Sequence, residues 1–181
     1  MNKLFFDIRN FADRRFLIVT QNGQLCLLDV IAPGQDPIEN LRLKKLLSRL
    51  KKPVRLVRCC QQTKYFGDWL DEYFQGRKTK MDAQKVAWQN VSPFARRVYA
   101  QLVKTHRGEL LTYQALAAKV GQPRAARAVG NALSNNPFLL LVPCHRVTHA
   151  NLTQVGSYRG GIKMKHFLWQ LERGFAASRA V

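Results

Sequence analysis

The sequence predicts an α/β protein with two domains: a small N-terminal α/β domain, built from an antiparallel hairpin sheet and helices, and a mostly helical C-terminal domain with a helix-turn-helix. Three observations lead to this prediction. Two apolar runs flank a tight-turn pair near the N-terminus, a polar and basic stretch interrupts the periodic pattern near the middle, and two short helical patterns follow it. A chain of 181 residues can hold two such domains, because domains usually contain about 100 to 150 residues and smaller ones are common.

The N-terminal domain is predicted to contain a β-hairpin followed by a helix. Residues 16–21 and 24–30 are largely apolar and lie on either side of Asn22-Gly23. This residue pair readily adopts the positive φ angles of a tight hairpin turn. Over residues 37–50, apolar side chains recur near helical spacing with basic residues between them, which predicts one amphipathic helix.

A third strand and a second helix complete the predicted N-terminal domain. Residues 54–59 favour a strand, and residues 65–74 favour a short helix that Gly76 ends. From there to residue 91 the hydrophobic pattern lapses into basic and polar residues, which is typical of a linker. We therefore predict an N-terminal domain over residues 1–80 and a C-terminal domain over residues 91–175.

The C-terminal domain is predicted to begin with a helix and to continue with a helix-turn-helix. Ser92 is a favoured N-cap residue, and Pro93 suits the first helical position. Two further helices, over residues 113–120 and 124–134, are separated by about three residues. This spacing favours a helix-turn-helix, although a plain αα-hairpin has the same pattern.

The second helix of this pair has a basic and polar face. At about 100° per residue, Arg124, Arg127 and Asn131 lie on one side of the helix. Ala128 and Gly130 flank that side with little bulk, so the helix backbone can approach a nucleic-acid groove closely. These five residues are candidate DNA-binding residues.

The charge of the chain points to a polyanionic partner. Thirty Lys and Arg residues against eleven Asp and Glu residues give a net charge of +19, and such an excess attracts nucleic acid. A solvated basic surface and weak affinity for acidic lipid are the alternatives. The apolar runs are far shorter than the ~20 residues that span a bilayer. Charged residues interrupt the N-terminal segment, whereas a signal peptide has a continuous apolar core. We expect no membrane association and an intracellular location.

A cysteine and a histidine are adjacent where a buried segment ends. Residues 138–142 predict a buried strand, and Cys144-His145 follow it directly. A cysteine is a strong nucleophile as a thiolate, which His145 and Arg146 can favour by lowering the pKa of the thiol. Two alternatives are a structural role for both residues and a zinc site that adds His149. The zinc alternative lacks a second ligand pair at zinc-site spacing, so we expect no metal.

The motifs around this pair resemble a known family. The segment Pro143-Cys144-His145-Arg146-Val147 follows Ala125-Ala126-Arg127-Ala128-Val129-Gly130 and Asn135-Asn136-Pro137. Together these motifs resemble the active-site region of the methylated-DNA–protein-cysteine methyltransferases, also called O6-alkylguanine-DNA alkyltransferases. The resemblance extends from about Ser92 to Glu172, whereas the first domain resembles the family only through the motif at residues 73–77.

The resemblance implies a role for each residue of the motif. Cys144 accepts the alkyl group from O6 of a guanine that has been flipped out of the duplex. His145 activates the thiol through a water, and Glu172 orients the imidazole. Arg127 fills the gap that the flipped base leaves. The substrate-binding residues that the resemblance implies are Tyr113, Asn136, Val147, Tyr158 and Arg159. Among them, Tyr113 donates a hydrogen bond to the guanine, and Asn136 braces the turn at the cysteine.

Arg159 departs from the pattern of the family. Many relatives have serine at this position of the Tyr-Ser-Gly-Gly motif, where the family uses mainly the backbone. We expect the chemistry to survive the change, while the rim of the pocket and the tolerance of bulky alkyl groups come into question. The zinc ligands found in the first domain of some relatives are also not recognisable here.

The resemblance predicts DNA repair by a stoichiometric and irreversible transfer without a cofactor. The substrate is double-stranded DNA that contains O6-alkylguanine, with O4-alkylthymine as a second candidate, and the base is flipped through the minor groove. We expect a monomer, with cooperative assembly on DNA left open. Two other functions compete with this prediction: recognition of the lesion without transfer, which relatives that replace the cysteine perform, and a Cys-His hydrolase, which would turn over repeatedly.

Overall fold

The computed structural model describes residues 2–50, 53–77, 81–150 and 156–177. The chain divides into two compact units, of which the first comprises residues 1–90 with 137–139 and the second comprises residues 91–136 with 140–181. The mixed α/β fold class predicted from the sequence is confirmed. Within the described ranges, no helix is long and apolar enough to cross a membrane.

The first unit contains a four-stranded sheet. Its strands are β1 (Asn2–Phe11), β2 (Arg14–Gln21), β3 (Gln24–Ile31) and β4 (Val54–Arg58). The order is β3-β2-β1-β4, with antiparallel pairing of β2 to both neighbours and parallel pairing of β1 with β4. The predicted hairpin is confirmed, and its turn has φ angles of 50° at Asn22 and 74° at Gly23.

Strand β1 was absent from the sequence prediction. Its charged residues conceal it, because Asp7 and Arg9 interrupt the apolar residues of the segment. Asp7 is nevertheless buried. Its carboxylate forms ion pairs with Arg9 at 3.9 Å and with Arg58 of β4 at 3.6 Å. Pairing across the sheet therefore compensates for a buried charge that the linear pattern cannot show.

The predicted single helix over residues 37–50 is wrong. The segment forms a 3₁₀ turn (Pro37–Glu39) and a helix, α1 (Leu41–Ser48), on either side of Asn40. Asn40 has extended backbone angles, and its side chain accepts hydrogen bonds from the first N–H groups of α1 while its amide donates to Asp29 at 3.3 Å. Asn40 therefore ends the first turn and caps the helix.

The described end of the stretch predicted as a linker, residues 83–90, packs within the first unit. The preceding helix, α2 (Cys60–Phe74), begins five residues earlier than predicted. Beyond it lie 3₁₀ turns at Ala83–Lys85 and Trp88–Asn90. Val86 and Ala87 between them are buried, and the N–H of Ala87 donates to the carbonyl of Leu25 at 2.9 Å. These residues of the predicted linker are therefore folded and bonded to strand β3.

The second unit is mostly helical. Its elements are α3 (Pro93–Leu102), β5 (Leu111–Thr112), α4 (Tyr113–Lys119), α5 (Ala126–Ser134), β6 (Val147–Thr148) and α6 (Gly161–Ala177). Ser92 and Thr112 accept hydrogen bonds from the first turns of α3 and α4, as N-cap residues do. Strands β5 and β6 pair in parallel.

Two predictions for the second unit need correction. Helix α5 begins at Ala126 rather than Arg124, because Ala125 has non-helical backbone angles and serves as the N-cap. Residues 138–142 are buried as predicted, but they do not form a strand. Leu140 has a φ angle of 66°, so the chain turns in the middle of the segment.

Candidate active site

Cys144 lies in a tight turn that the backbone fixes on both sides. The turn is a single 3₁₀ turn (Cys144–Arg146), and its first N–H donates to the carbonyl of Val142 at 2.7 Å. After the turn, Val147 enters β6 and pairs with Leu111 of β5. The thiol is therefore held in a buried place by main-chain contacts before and after it.

Asn136 contacts both the turn and the sulfur. Its side-chain amide donates to the carbonyl of Val142 at 3.0 Å and to Sγ of Cys144 at 3.4 Å. The side chain is fully buried, so these contacts are protected from competing water. A donor aimed at the sulfur favours the charged thiolate over the neutral thiol.

The imidazole of His145 is bound to a buried carboxylate. Its Nε2 lies 2.9 Å from Oε1 of Glu172, which is in α6. Glu172 also accepts hydrogen bonds from Nε and Nη2 of Arg146, at 2.9 and 2.8 Å, and from the N–H of Gly108 at 3.1 Å. Although burial opposes ionisation, the contacts with His145 and Arg146 hold the pKa of Glu172 well below its usual range. Glu172 is therefore a carboxylate.

The second ring nitrogen of His145 is the basic one. Burial lowers the pKa of His145 below 6.5, so the ring is neutral near pH 7. The neutral ring carries one proton, and the carboxylate of Glu172 selects Nε2 for it. Nδ1 then holds the lone pair, and it has no hydrogen-bond partner among the described residues. The main chain of His145 is also fixed, because Nε1 of Trp169 donates to its carbonyl at 2.6 Å.

Arg146 acts on Glu172 rather than on the thiol, contrary to what the sequence suggested. Besides its two bonds to Glu172, its Nη1 donates to the carbonyl and hydroxyl oxygens of Thr105 at 2.6 and 2.9 Å. These four hydrogen bonds hold α6 to the segment after α3. The expectation that Arg146 lowers the pKa of the thiol is wrong.

Burial dominates the ionisation of Cys144. It raises the pKa of the thiol above its ordinary 9.0, although the Asn136 amide and the positive charges of Arg159 and Lys165 act in the opposite direction. The cysteine is therefore a neutral thiol near pH 7. Nucleophilic attack requires a base that removes its proton.

Lys165 is a feature of the site that the sequence analysis missed. It is fully buried in α6, and its Nζ donates to the carbonyls of Val147 and Gly156 at 2.7 and 3.2 Å. Burial lowers its pKa to about 8. A lysine in an amphipathic helix usually lies on the solvent side. The available signal was its position seven residues before Glu172, which places both on one helix face.

The aromatic residues predicted for the pocket lie around the same segment. A Cβ atom on Gly156 would lie 3.2 Å from the Tyr113 hydroxyl and 3.1 Å from Nε2 of His149. The Tyr113 and His149 rings are 5.5 Å apart, and the Tyr158 and His145 rings are 6.3 Å apart. Burial and the neighbouring Cys144 raise the pKa of Tyr113, so its hydroxyl remains a hydrogen-bond donor.

Arg159 connects two segments by its side chain. Its Nη2 donates to the carbonyl of Ser134, the last residue of α5, at 3.0 Å and to the carbonyl of Asn136 at 2.7 Å. The departure from the family pattern therefore places a cation at the end of the helix that carries the candidate DNA-binding residues.

The predicted DNA-binding residues lie on or just before α5. Arg124, Arg127, Ala128 and Asn131 are exposed, and Gly130 is half-buried 3.9 Å from the Tyr113 ring as measured from the position of an added Cβ. The opposite side of the helix is buried through Val129, Ala132 and Leu133. The basic face predicted from the helical spacing is thus open to solvent.

The zinc alternative receives no support from the side-chain positions. Among the described residues, no three His, Cys, Asp or Glu side chains come together in a group that could hold a metal ion. His145 is engaged with Glu172, and His149 is exposed.

Comparison with known proteins agrees with the motif. Residues 93–174 match the family model described as 6-O-methylguanine DNA methyltransferase, DNA binding domain. A methylated-DNA–protein-cysteine methyltransferase of Methanosarcina barkeri is 32% identical over 146 residues, which are 79% of this chain and 89% of the relative. The chain belongs to the methylated-DNA–protein-cysteine methyltransferase family. The resemblance inferred from the sequence is confirmed.

Other relatives match a smaller part of their own length. Methyltransferases of this name from Metallosphaera sedula and Shigella flexneri are 45% identical over 103 residues and 41% identical over 105 residues. These alignments cover 57% and 58% of this chain and 63% and 60% of the relatives. The chain thus spans less than two-thirds of the length of these family members.

A solved structure matches nearly the whole chain. The crystal structure of Mycobacterium tuberculosis OGT in complex with DNA has a TM-score of 0.71 at 27% identity, covering 94% of both chains. A variant of the O6-methylguanine methyltransferase from the same organism has a TM-score of 0.73 at 26% identity, covering 93% of this chain and 92% of that one. The two-unit α/β fold is therefore the fold of this family.

Proposed function

We propose that this protein repairs DNA by transferring the alkyl group of O6-alkylguanine directly and irreversibly to Cys144. The observation that carries this proposal is the buried arrangement of Cys144, Asn136, His145 and Glu172 in the unit that also exposes the basic face of α5. Family membership supports the same conclusion. O4-alkylthymine is a second candidate substrate, because it also carries an alkyl group on a base oxygen.

The geometry supports a defined order of bond changes. Nδ1 of His145 takes the proton of the Cys144 thiol through a water, because Nε2 is committed to Glu172. The sulfur then attacks the alkyl carbon, a C–S bond forms, and the C–O bond breaks. The guanine leaves with the electron pair of that bond and takes up one proton, while the hydroxyl of Tyr113 donates a hydrogen bond to it. Glu172 stabilises the imidazolium for as long as His145 holds the proton of the thiol.

The buried thiol requires the target base to leave the duplex. A base inside the stack hides its O6 substituent, and extruding it costs a few kcal/mol, less for a damaged and poorly paired base. Arg127 projects from the exposed side of α5 and fills the resulting gap. Ala128 and Gly130 beside it have little bulk, which suits close approach to the minor groove. We propose that Arg124 and Asn131 contact the DNA backbone on the same face.

The transfer ends after one turnover. Alkylated Cys144 is a thioether, which has no carbonyl for water to attack, unlike the thioester of a cysteine hydrolase. No cofactor takes part, since the leaving guanine carries away the electron pair and the thiol supplies the proton. The protein acts as a monomer with double-stranded DNA as its partner, for which the charge of +19 supplies the attraction.

The deciding experiment is the intact mass of the protein after incubation with a short duplex that contains O6-methylguanine. We expect one added methyl group, on the peptide that bears Cys144, and none on the Cys144→Ala variant, which should still bind the duplex. An unchanged mass with tight binding would indicate lesion recognition without transfer. An unchanged mass without binding would favour the Cys-His hydrolase as the function of this protein.

A further inference from the structure

The side chain of Arg159 connects the end of α5 with the residue that contacts the reactive sulfur. Its Nη2 donates to the carbonyls of Ser134 and Asn136, and the amide of Asn136 in turn donates to Sγ of Cys144. Three consecutive contacts therefore lead from the last residue of the candidate DNA-binding helix to the sulfur. All of these residues belong to the second unit.

The position of the guanidinium at the end of α5 is electrostatically favourable. The last turn of α5 contains no basic residue of its own. The carbonyl groups at a helix C-terminus carry partial negative charge and lack partners within the helix, so a cation that hydrogen-bonds them stabilises the helix end. Arg159 supplies that cation from a segment 25 residues further along the chain.

The same guanidinium acts on the thiol through its charge. The described charged and titratable groups that influence Cys144 are Arg159 and Lys165, which favour its thiolate, and Tyr113, whose own pKa is raised by burial and by Cys144. Lys165 is engaged by the carbonyls of Val147 and Gly156. Arg159 differs from Lys165 because it also holds Asn136, the neutral donor to the sulfur.

We propose that Arg159 is a positioning residue, which ties the C-terminal end of α5 to the turn at Asn136 and thereby fixes the hydrogen-bond donor and the positive charge that stabilise the Cys144 thiolate. This inference rests on the proposed function, in which the Cys144 thiolate is the nucleophile. It assigns a role to the side chain at a position where many relatives have a serine, which cannot span these two carbonyls.

The test compares three substitutions in the full chain. Arg159→Ser removes the charge and the two hydrogen bonds, Arg159→Lys keeps the charge, and Lys163→Ser removes one positive charge from an exposed position of α6 as the matched control. The first measurement is the rate at which iodoacetamide modifies Cys144 as a function of pH, resolved by peptide mapping because the chain has four cysteines. It needs no DNA and no alkyl transfer.

We expect Arg159→Ser to raise the apparent pKa of Cys144 by about one unit and to slow the reaction with free O6-benzylguanine about tenfold. In Arg159→Lys the apparent pKa of Cys144 should return most of the way to the wild-type value. Lys163→Ser should match the wild type in both measurements. An unchanged pKa in Arg159→Ser would overturn the proposal, whether or not the reaction slows, because a merely structural role would not move the ionisation of the thiol. Equal shifts in Arg159→Ser and Lys163→Ser would also overturn it.

The outcome is separable from that of the proposed function. If the wild-type protein gains no methyl group from the methylated duplex, the proposed function fails, whereas the iodoacetamide titration still decides whether Arg159 controls the thiol. If the wild type is methylated and the titration of Arg159→Ser is unchanged, only the inference about Arg159 fails.

Discussion

Nε2 of His145 lies 2.9 Å from Oε1 of Glu172, and neither side chain reaches solvent. This contact joins the turn that carries Cys144 to helix α6, 27 residues later in the chain. It also decides which ring nitrogen is basic, since the carboxylate retains the proton on Nε2 and leaves the lone pair on Nδ1. The capacity of His145 to act as a base therefore depends on Glu172.

We expect Glu172→Gln to slow alkyl transfer about 10²- to 10³-fold, as removal of general-base assistance does. The amide can no longer stabilise the imidazolium, and Arg146 is left as a buried charge without a carboxylate. The variant should also lose about 2 to 4 kcal/mol in free energy of unfolding. Single-turnover rates with free O6-benzylguanine and urea unfolding measure the two effects.

The control for this prediction is Glu109→Gln, which changes the same side chain in the same unit. Glu109 is half-buried, and its described hydrogen bond is with the main chain of His106. Its variant should react at the wild-type rate. A Glu172→Gln protein that is stable and reacts as fast as Glu109→Gln would exclude the role proposed for Glu172.

The alkyl transfer and the simple alkylation of Cys144 should differ in their dependence on pH. Because burial raises the pKa of the thiol above 9.0, the iodoacetamide rate should rise steadily through neutral pH. Transfer assisted by His145 requires only the neutral imidazole, whose pKa lies below 6.5. The transfer rate should therefore be nearly constant from about pH 6.5 to 7.5. Parallel pH profiles for the two reactions would show that His145 is not the base.

Acid should remove the stability that Glu172 contributes. Its folded-state pKa lies well below the ordinary 4.5, so its contribution is fully present above pH 4.5 and is lost as the pH falls towards the folded-state value. The difference in unfolding free energy between the wild type and Glu172→Gln should shrink below about pH 4.5. Urea titrations at several pH values measure this difference. The contributions of the other carboxylates are the same in both proteins and therefore cancel. A difference that stays constant down to pH 3 would contradict the buried ion pair.

Residues close in the chain were the ones that the sequence predicted well. The hairpin at Asn22-Gly23 and the cap at Ser92 depend on interactions within a few residues, so their patterns indicate them directly. The Cys144-His145 pair was found for the same reason and through its motif.

Long-range compensation explains what the sequence did not predict. Asp7 in β1 and Lys165 in α6 are charged side chains that the pattern assigns to the surface, and each is buried only because distant groups bind it. Asn40 divides a helix because its amide also binds Asp29. The partners of Arg146 likewise became visible only in the fold, since Thr105 and Glu172 are far from it in the chain.

DNA binding should weaken steeply with salt. Each phosphate that the basic surface neutralises releases counterions, and the affinity then falls with a slope of about −0.9 per phosphate in a double-logarithmic plot. With a net charge of +19 we expect several such contacts. Fluorescence anisotropy with an unmodified duplex at several salt concentrations measures the slope. An affinity that does not change with salt concentration would show that the positive charge of the protein does not contribute to DNA binding.

Arg127→Ala should weaken the repair of a duplex far more than the reaction with a free base. The exposed guanidinium fills the gap in the stack only when a base has to be flipped, whereas free O6-benzylguanine reaches Cys144 without that step. We expect a loss of about 10-fold or more on duplex O6-methylguanine, corresponding to more than about 1.4 kcal/mol, and a change of less than about twofold on the free base.

The matched control for this prediction is Arg55→Ala, which removes the same charge from an exposed position of β4 in the first unit. Both variants lower the net charge equally, so a general electrostatic effect on DNA binding would slow them by the same factor. A greater loss for Arg127→Ala on the duplex alone identifies the side chain that takes the place of the base. Equal losses on the duplex and the free base would instead mean that Arg127 supports the fold of the site, because flipping is required in only one of the two reactions.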